Sequence, residues 1–396
     1  MRRRDMVAFY RANHSFREVA KVFHESKSTV QRWVKFAAGK RLDRVDFFDQ
    51  KSGTSRPANK SFERVEKRVL SVRHYLKEKS ILGLYGPDAI RSAMIERGYC
   101  EVPSRRTIAN IIKRYGLVDR RVRIRYSSPP PGWYLRDLVN KKEELDSFDI
   151  VEGLYLRGGQ EVQLFNGISL HGSLLCSVAS RVITVEIIID TLTNHWRTFG
   201  LPKYVQFDNG MVFQGTRKEN AIGRVIRFCL SLGVIPIFTT PYRQGFQNKI
   251  ERFNGEIQQK FWRRKYFKNI RQVKRHLEKY VLEHRLRQQP TILTAPRHRK
   301  FPKNWKWDET TLPNLSNAMI IYLRRTDALG YVSFLEKDFF VHRHWINRLV
   351  RAEVDLTKGV IRFYTLRRSD WKKYRLIKIT KFYLLKILKN KKRNKK

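Results

Sequence analysis

Hydrophobic positions recur at helical spacing in residues 15–38, first Phe16, Val19, Ala20 and Phe23, then Val30, Trp33, Val34 and Ala37. His24, Glu25, Ser26 and Lys27 break the pattern, and Ser26 or Ser28 is placed to cap the second helix. A second helical pair follows. Tyr85-Gly86-Pro87-Asp88 starts a helix running through Ile95, and Pro103-Ser104 opens another through Ile108, Ile111, Ile112 and Tyr115, with Gly116 as the stop.

From Val162 the period changes. VQLFNGISL and LLCSVASRVITV read as strands rich in β-branched residues. Residues 186–199 return to helix with Ile188, Ile189, Leu192, Trp196 and Phe199 on one face, ended by Gly200 and Pro202. A short strand over 203–207 ends at Asp208-Asn209-Gly210. A helix over 224–232 and a strand over 234–238 follow. Residues 245–264 form a helix whose core stripe is Phe246, Ile250, Phe253, Ile257 and Phe261. Gln247, Asn248, Glu251 and Asn254 lie on an adjacent polar face, and Lys249, Arg252, Lys260, Arg263 and Arg264 fill the rest. Residues 266–300 read as basic helix. From Ala318, five short runs (MIIYLRR, YVSFLE, DFFVHRHW, RAEVDL, VIRFYTL) with Gly330 and Gly359 between them predict a small barrel.

Punctuation divides the chain. Ser52 to Pro57 is turn-rich, and the three prolines at 129–131 favour an extended path. The predicted segments are helical units over 1–51 and 61–126, a linker over 127–144, an α/β core over 145–265, a basic helical connector over 266–315, a β domain over 316–380 and a basic tail over 381–396. No repeat of solenoid period is present. The length, 396 residues, suits two or three domains.

Charge sharpens this division. The chain carries a net charge of +47, but 41% of its residues are hydrophobic and 12% aromatic, which excludes a disordered polycation. Such an excess calls for a polyanion, nucleic acid before acidic lipid. Residues 1–144 carry net +18, residues 145–240 zero and residues 241–396 net +29. No run of about 18 apolar residues exists, and MRRRD leads into amphipathic sequence, so a soluble, intracellular protein is expected. Cys100, Cys176 and Cys229 are far apart, odd in number and flanked by apolar or small residues, and read as buried inert thiols without disulfide or zinc pairing.

Residues 15–38 resemble a helix-turn-helix, in which Lys27, Ser28, Thr29, Gln31 and Arg32 face the DNA groove. The glycine usual in such a turn is absent, with His24 near its place. The stretch YGPDAIRSAMIERGYCEVPSRRTIANIIKRYGL resembles the second DNA-binding unit of insertion-sequence transposases, which gives Arg105, Arg106 and Thr107 as DNA contacts. Arg120, Arg121, Arg123 and Arg125 form a basic strip that could track a phosphate backbone.

LDSFDIVEG, strand-ending FDNG and TTPYRQGFQNKIERFN together resemble the catalytic core of the DDE transposases and retroviral-type integrases. The resemblance covers residues 145–265 and implies an RNase H-like fold, a mixed five-stranded sheet with helices. It brings together an acid on the first strand, Asp208 ending the fourth, and Glu251 on a following helix. Glu251 lies 43 residues after Asp208, longer than the usual spacing, and Arg217–Ile222 looks like the surface insertion responsible. Asp149 is chosen as the first acid because Phe148-Asp149-Ile150-Val151 reads as strand, with Asp146 as the alternative; Glu152 reads as surface.

The resemblance implies two Mg²⁺ ions, with Mn²⁺ substituting, held by Asp149, Asp208 and Glu251. Hard carboxylate oxygens suit such ions, and a pair roughly 3.5–4 Å apart serves in-line displacement at phosphorus. The implied reactions are attack by water at a transposon end, then attack by the freed 3′-hydroxyl on target DNA, by a homodimer or higher oligomer on paired double-stranded ends. Asn209, Gln247, Asn248 and Arg252 either orient the acids or touch phosphate, or serve structural hydrogen bonds. His171 and His195 read as packing or surface residues, lacking partners at ligand spacing. The zinc-binding unit of retroviral integrases is absent, so the amino-terminal half follows the bacterial pattern. The carboxy-terminal strands resemble the small DNA-binding β-barrel after many integrase cores, with Arg324, Arg325, Arg343, Arg348 and Arg351 as phosphate contacts. Two rivals stand beside this: a DNA-binding regulator with an inactive core, and a metal-dependent nuclease of the same fold.

Overall fold

The structure is a computed structural model and describes residues 2–48, 61–118, 129–215, 221–241, 245–307, 318–368 and 370–384. The chain divides into two units, Met1–Glu66 and Lys67–Lys396. In the first, α1 (Arg2–Arg11), α2 (Phe16–Phe23) and α3 (Lys27–Phe36) enclose Met6, Val7, Val19, Val30, Trp33, Ala37 and Val45. The helix limits follow from local chemistry. Ser15 and Glu18 form a capping box at the start of α2. His24 ends α2 at φ +51°, so an imidazole residue takes the left-handed position that glycine usually holds. Ser26, not Ser28, caps α3, its Oγ accepting from the Thr29 amide at 3.1 Å.

Helix α4 spans Glu63–Lys79. Beyond it, α5 (Pro87–Glu96) and α6 (Arg105–Arg114) bury Ile90, Ala93, Met94, Ile108, Ile111 and Ile112 with Val69 and Val72. Pro87 occupies the first turn of α5, and Ser104 caps α6 through the Thr107 amide at 3.2 Å. Cys100 is exposed, whereas Cys176 and Cys229 are buried, so one of the three thiols departs from expectation. It precedes the α5–α6 loop's Val102 and Pro103 and packs into neither core.

After α7 (Arg136–Val139) come β1 (Leu145–Tyr155), β2 (Glu161–Ser169), β3 (Leu175–Ser180), α8 (Val185–Phe199), β4 (Tyr204–Phe207), α9 (Met211–Gln214), α10 (Arg224–Ser231), β5 (Ile235–Phe238), α11 (Asn248–Lys260) and α12 (Ile270–Leu293). The strands lie in the order β3-β2-β1-β4-β5. β2 is antiparallel to β1 and β3, and β1, β4 and β5 are mutually parallel. This mixed sheet with helices fits an RNase H-like core. Phe148, Val205 and Phe207 face α8 and α10, packing with Ile188, Leu192, Trp196 and Phe228. The opposite face carries Val151, Leu164 and Leu175 against Ile250, Phe253 and Ile257 of α11 and Val273, Leu277 and Tyr280 of α12. Gly167 stands opposite Phe148 in the ladder, and a Cβ there would lie 2.1 Å from the phenyl ring, so only glycine lets β2 close on β1.

The carboxy-terminal strands are β6 (Met319–Arg325), β7 (Tyr331–Phe334), β8 (Lys337–Phe340), β9 (Leu349–Asp355), β10 (Val360–Thr365) and β11 (Leu376–Lys381). They correct the expected barrel, because among the described residues their sheet does not close. β6 pairs in parallel with β5 at Ile237↔Ile321 and Phe238↔Tyr322, and its other edge takes β9. With both edges of β6 occupied, the strands extend the core into one nine-stranded sheet, and β7–β8 stand apart as a hairpin. The expected connector likewise contributes core residues through α12. Of the expected insertion, residues 217–220 lie outside the described residues, and Ala221 and Ile222 are buried.

Candidate active site

The alternation of strand residues separates the two acids of β1. Asp146 and Asp149 are three positions apart and therefore face opposite sides of the sheet. Asp146 points toward α8, is 1% exposed, accepts from Trp196 Nε1 at 2.9 Å and is paired with Arg297. It is the internal counter-ion of a buried guanidinium. Asp149 points to the other face, under α11.

The parallel register pairs Ser147 with Gln206, and continuing it by two residues brings Asp149 level with Asp208 just past the end of β4. Asp149 Oδ1 accepts from the Ile150 amide at 2.9 Å and Oδ2 from Asn254 Nδ2 at 2.7 Å. Asn254 Oδ1 accepts from Asn166 Nδ2 at 2.8 Å, and Asn166 Oδ1 accepts from Ser177 Oγ at 2.5 Å. This relay runs from β3 through β2 and α11 to the acid. Asn166 was not foreseen, although an asparagine within the apolar run LFNGI is the kind of buried polar residue that needs a partner.

Electrostatics tie the acids together. Burial pushes the Asp149 carboxyl up to about 6, the charges of Asp208 and Glu251 add to the shift, and the Ile150 amide and Asn254 oppose it. Burial also raises Asp208, against the Gly210 amide that donates to its Oδ1 at 2.9 Å. Glu251 lies exposed in the first turn of α11, where the helix dipole favours a negative charge. Among the described residues no three His, Cys, Asp or Glu side chains are drawn in closely enough to grip an ion. The donor set nevertheless suits a hard divalent cation. It is all oxygen, and its two strand acids resist ionisation for reasons that a cation relieves.

The neighbouring polar residues divide by role. Asn209 donates to Thr239 O at 2.7 Å, and its Oδ1 accepts from Arg324 Nη2 at 2.8 Å and Gln214 Nε2 at 3.1 Å. It is a structural bracket for the turn after Asp208. Arg252 is exposed and pairs with Glu256 at 3.4 Å, while Asn248 is exposed at the start of α11. Lys249 donates to Leu170 O, and burial pushes its ammonium down to about 8. A cavity of about 360 Å³ is lined by Ser147, Gln206, Tyr134, Trp133 and Gln247 among others, and none of the three acids lines it. His195 is buried, and burial pushes it down to about 3, leaving it neutral; His171 is half-buried.

The expected DNA contacts are placed unequally. Lys27, Ser28, Gln31 and Arg32 lie exposed on α3, with Thr29 half-buried. Arg105 and Arg106 are exposed at the start of α6, Arg105 pairing with Asp88 at 2.9 Å, and Thr107 is half-buried. Arg325, Arg343 and Arg348 are exposed. Arg324 and Arg351 are each 5% exposed and turn inward, the latter donating to Tyr134 O and pairing with Glu353 at 3.0 Å. These two face no solvent phosphate, because inward-facing positions of β6 and β9 carry them into the packed interior. Arg120, Arg121, Arg123 and Arg125 lie outside the described residues. No helix among the described residues is long and apolar enough to cross a membrane.

No protein-family model and no curated protein matches the chain. Among solved structures it is similar to the HTLV-2 integrase catalytic core domain in complex with magnesium. The dimeric form is 16% identical over 30% of this chain and 68% of that one, at TM-score 0.23. The trimeric form is 16% identical over 43% and 86%, at TM-score 0.24. The simian T-cell lymphotropic virus intasome in complex with PP2A regulatory subunit B56 gamma is 13% identical over 74% and 95%, at TM-score 0.30. Likenesses this weak decide nothing about the site, whose own geometry has to carry its chemistry.

Proposed function

We propose that the chain is a DDE-type transposase, a polynucleotidyl transferase that cleaves the 3′ ends of a DNA element and joins them to target DNA. The observation that carries this is the parallel β1–β4 ladder, which sets Asp149 on β1 level with Asp208 just past the end of β4, with the charge of Glu251 adding to the proton affinity of Asp149. Acids that repel one another in a half-buried site are arranged for a multivalent cation, and the basic flanks supply the hold on DNA that a neutral core lacks.

Asp149, Asp208 and Glu251 would hold divalent cations, Mg²⁺ or Mn²⁺. When bound, such ions activate an attacking oxygen and stabilise a leaving one at phosphorus. The protein's part is positional. Asn254 and the Ile150 amide fix the two oxygens of Asp149, and the Gly210 amide fixes one oxygen of Asp208. The exposed edge of α3 reads one stretch of duplex as a helix-turn-helix, and the start of α6 reads another. Tandem readers span a longer site than either alone. Handling two ends calls for at least two copies of the chain.

The test incubates the full chain with Mg²⁺, labelled duplexes covering the DNA that flanks its coding sequence, and supercoiled plasmid. End-to-plasmid products are expected, lost in Asp208→Asn with duplex binding retained. Cutting without joining would make the protein a nuclease of this fold, and activities untouched by Asp208→Asn would make it a DNA-binding regulator.

A further inference from the structure

Arg324 is a buried cation without a carboxylate partner among the described residues, and two of its bonds go to Asn209, beside Asp208, and to the Thr239 carbonyl that Asn209 also holds. Nε donates to Ser333 O at 3.0 Å, Nη1 to Thr239 O and Leu323 O at 2.9 Å each, and Nη2 to Asn209 Oδ1 at 2.8 Å. All four acceptors are neutral. A buried guanidinium is costly unless its hydrogen bonds are made, and here two of the four bonds, to Thr239 and Asn209, reach segments 85 and 115 residues earlier in the chain. Ser333 is on the β7–β8 hairpin, Thr239 directly follows β5, Leu323 is on β6, and Asn209 follows Asp208. Asn209 completes the bracket through Thr239 O and Gln214. The Asp208–Gly210 turn is thus fixed from outside the five-stranded core, by a residue that β6 delivers only because it pairs with β5.

We propose that Arg324 is a positioning residue for Asp208, acting through the Asn209 carboxamide, so that the carboxy-terminal strands are a working part of the catalytic site and not only a DNA-holding module. This rests on the reading of Asp208 as a metal-binding acid. The guanidinium leaves the acid's own oxygens free, because its hydrogen bonds go to Asn209, Thr239, Leu323 and Ser333.

The test compares Arg324→Gln, Arg324→Lys, Asn209→Ala and the Arg324→Gln/Asn209→Ala double variant in the full chain. It reads end cleavage as a function of Mg²⁺ concentration, duplex affinity and thermal unfolding. Each single variant is expected to lower the cleavage rate about 10- to 100-fold and to raise the Mg²⁺ concentration at half-maximal rate, with duplex affinity unchanged. The double variant loses no more than the worse single one, because both remove one link. Arg324→Lys recovers only part, since an ammonium keeps the charge but not the fork that reaches four acceptors. Should Arg324→Gln fail to fold, Asn209→Ala carries the test, because it leaves the other three acceptors of Arg324 in place. Folded variants with wild-type rate and Mg²⁺ dependence, or losses that multiply in the double variant, overturn the proposal. If Asp208→Asn is itself fully active, the reading of the site fails. If Asp208→Asn is dead while both bracket variants are normal, the positioning role alone fails.

Discussion

Asn254 on α11 donates to Asp149 on β1 at 2.7 Å, while its own oxygen is held by Asn166 on β2 at 2.8 Å. The second bond fixes which end of the carboxamide faces the acid, so Asn254 always offers Asp149 a donor. A donor favours the carboxylate over the acid form.

Removing that donor should therefore make Asp149 harder to ionise. Its carboxyl already sits near 6, and Asn254→Ala takes away one of the two contributions holding it down. The acidic limb of the cleavage rate should move to higher pH, by about one unit or less. Rates measured from pH 5 to 9 at fixed Mg²⁺ would show it. A limb that stays in place or moves down would mean that Asn254 does not set the ionisation of Asp149.

The same shift has a sign for stability. Asp149 has a folded value of about 6 against an ordinary 3.8, so between those values the native chain binds more protons than the unfolded one. Its contribution favours the fold at low pH and is lost as pH rises through 6. Asp149→Asn should raise the unfolding temperature at pH 7.5 in metal-free buffer, by an amount worth about 3 kcal/mol at most. It should give no gain at pH 3.5. A variant less stable than wild type at pH 7.5 would contradict the assignment of Asp149 as a functional acid held against its own preference.

How far this site could be read from the chain depends on the range of the interaction concerned. Asp208 and Glu251 stand out because strand end and helix start are local patterns, and the buried stripe Ile250, Phe253 and Ile257 follows from helical spacing alone. The choice between Asp146 and Asp149 needed the strand's phase, which Phe148 and Val205 set only once both strands are paired. Arg324 was the hardest. Nothing in MIIYLRR distinguishes an arginine that meets water from one that meets Thr239, 85 residues earlier. Net charge misled for the same reason, since Arg297, Arg324 and Arg351 count toward the basic flank yet turn inward. The expected barrel failed on pairing, not on strand content: edge partners are chosen across the fold, and β6 chose β5.

Asp146 and Arg297 should behave as a structural pair, in contrast to the acids across the sheet. Each is at most 7% exposed at the side chain, and Arg297 also ties down Gly200 O at 2.8 Å. Asp146→Ala leaves a buried guanidinium uncompensated and should cost about 3–5 kcal/mol. Asp146→Leu combined with Arg297→Met should recover much of that loss in denaturant unfolding. If Asp146→Ala were as stable as wild type but inactive in cleavage, the roles of the two β1 acids would have to be exchanged.

The charge that reaches DNA should be the outward charge. Lys27 and Arg32 are exposed on α3, and each phosphate they contact releases condensed counterions. Lys27→Ala and Arg32→Ala should each flatten the plot of log affinity against log salt by about 0.9. Gln31, exposed between them, is suited instead to an adenine edge in the major groove. Gln31→Ala should leave the salt slope alone and relax discrimination at one base pair by about 1–3 kcal/mol. Titrations of wild-type and mutated end duplexes from 50 to 300 mM salt separate these effects. Slopes unchanged in both charge variants would remove α3 from the interface, and a slope change in Gln31→Ala would show that this face tracks backbone without reading bases.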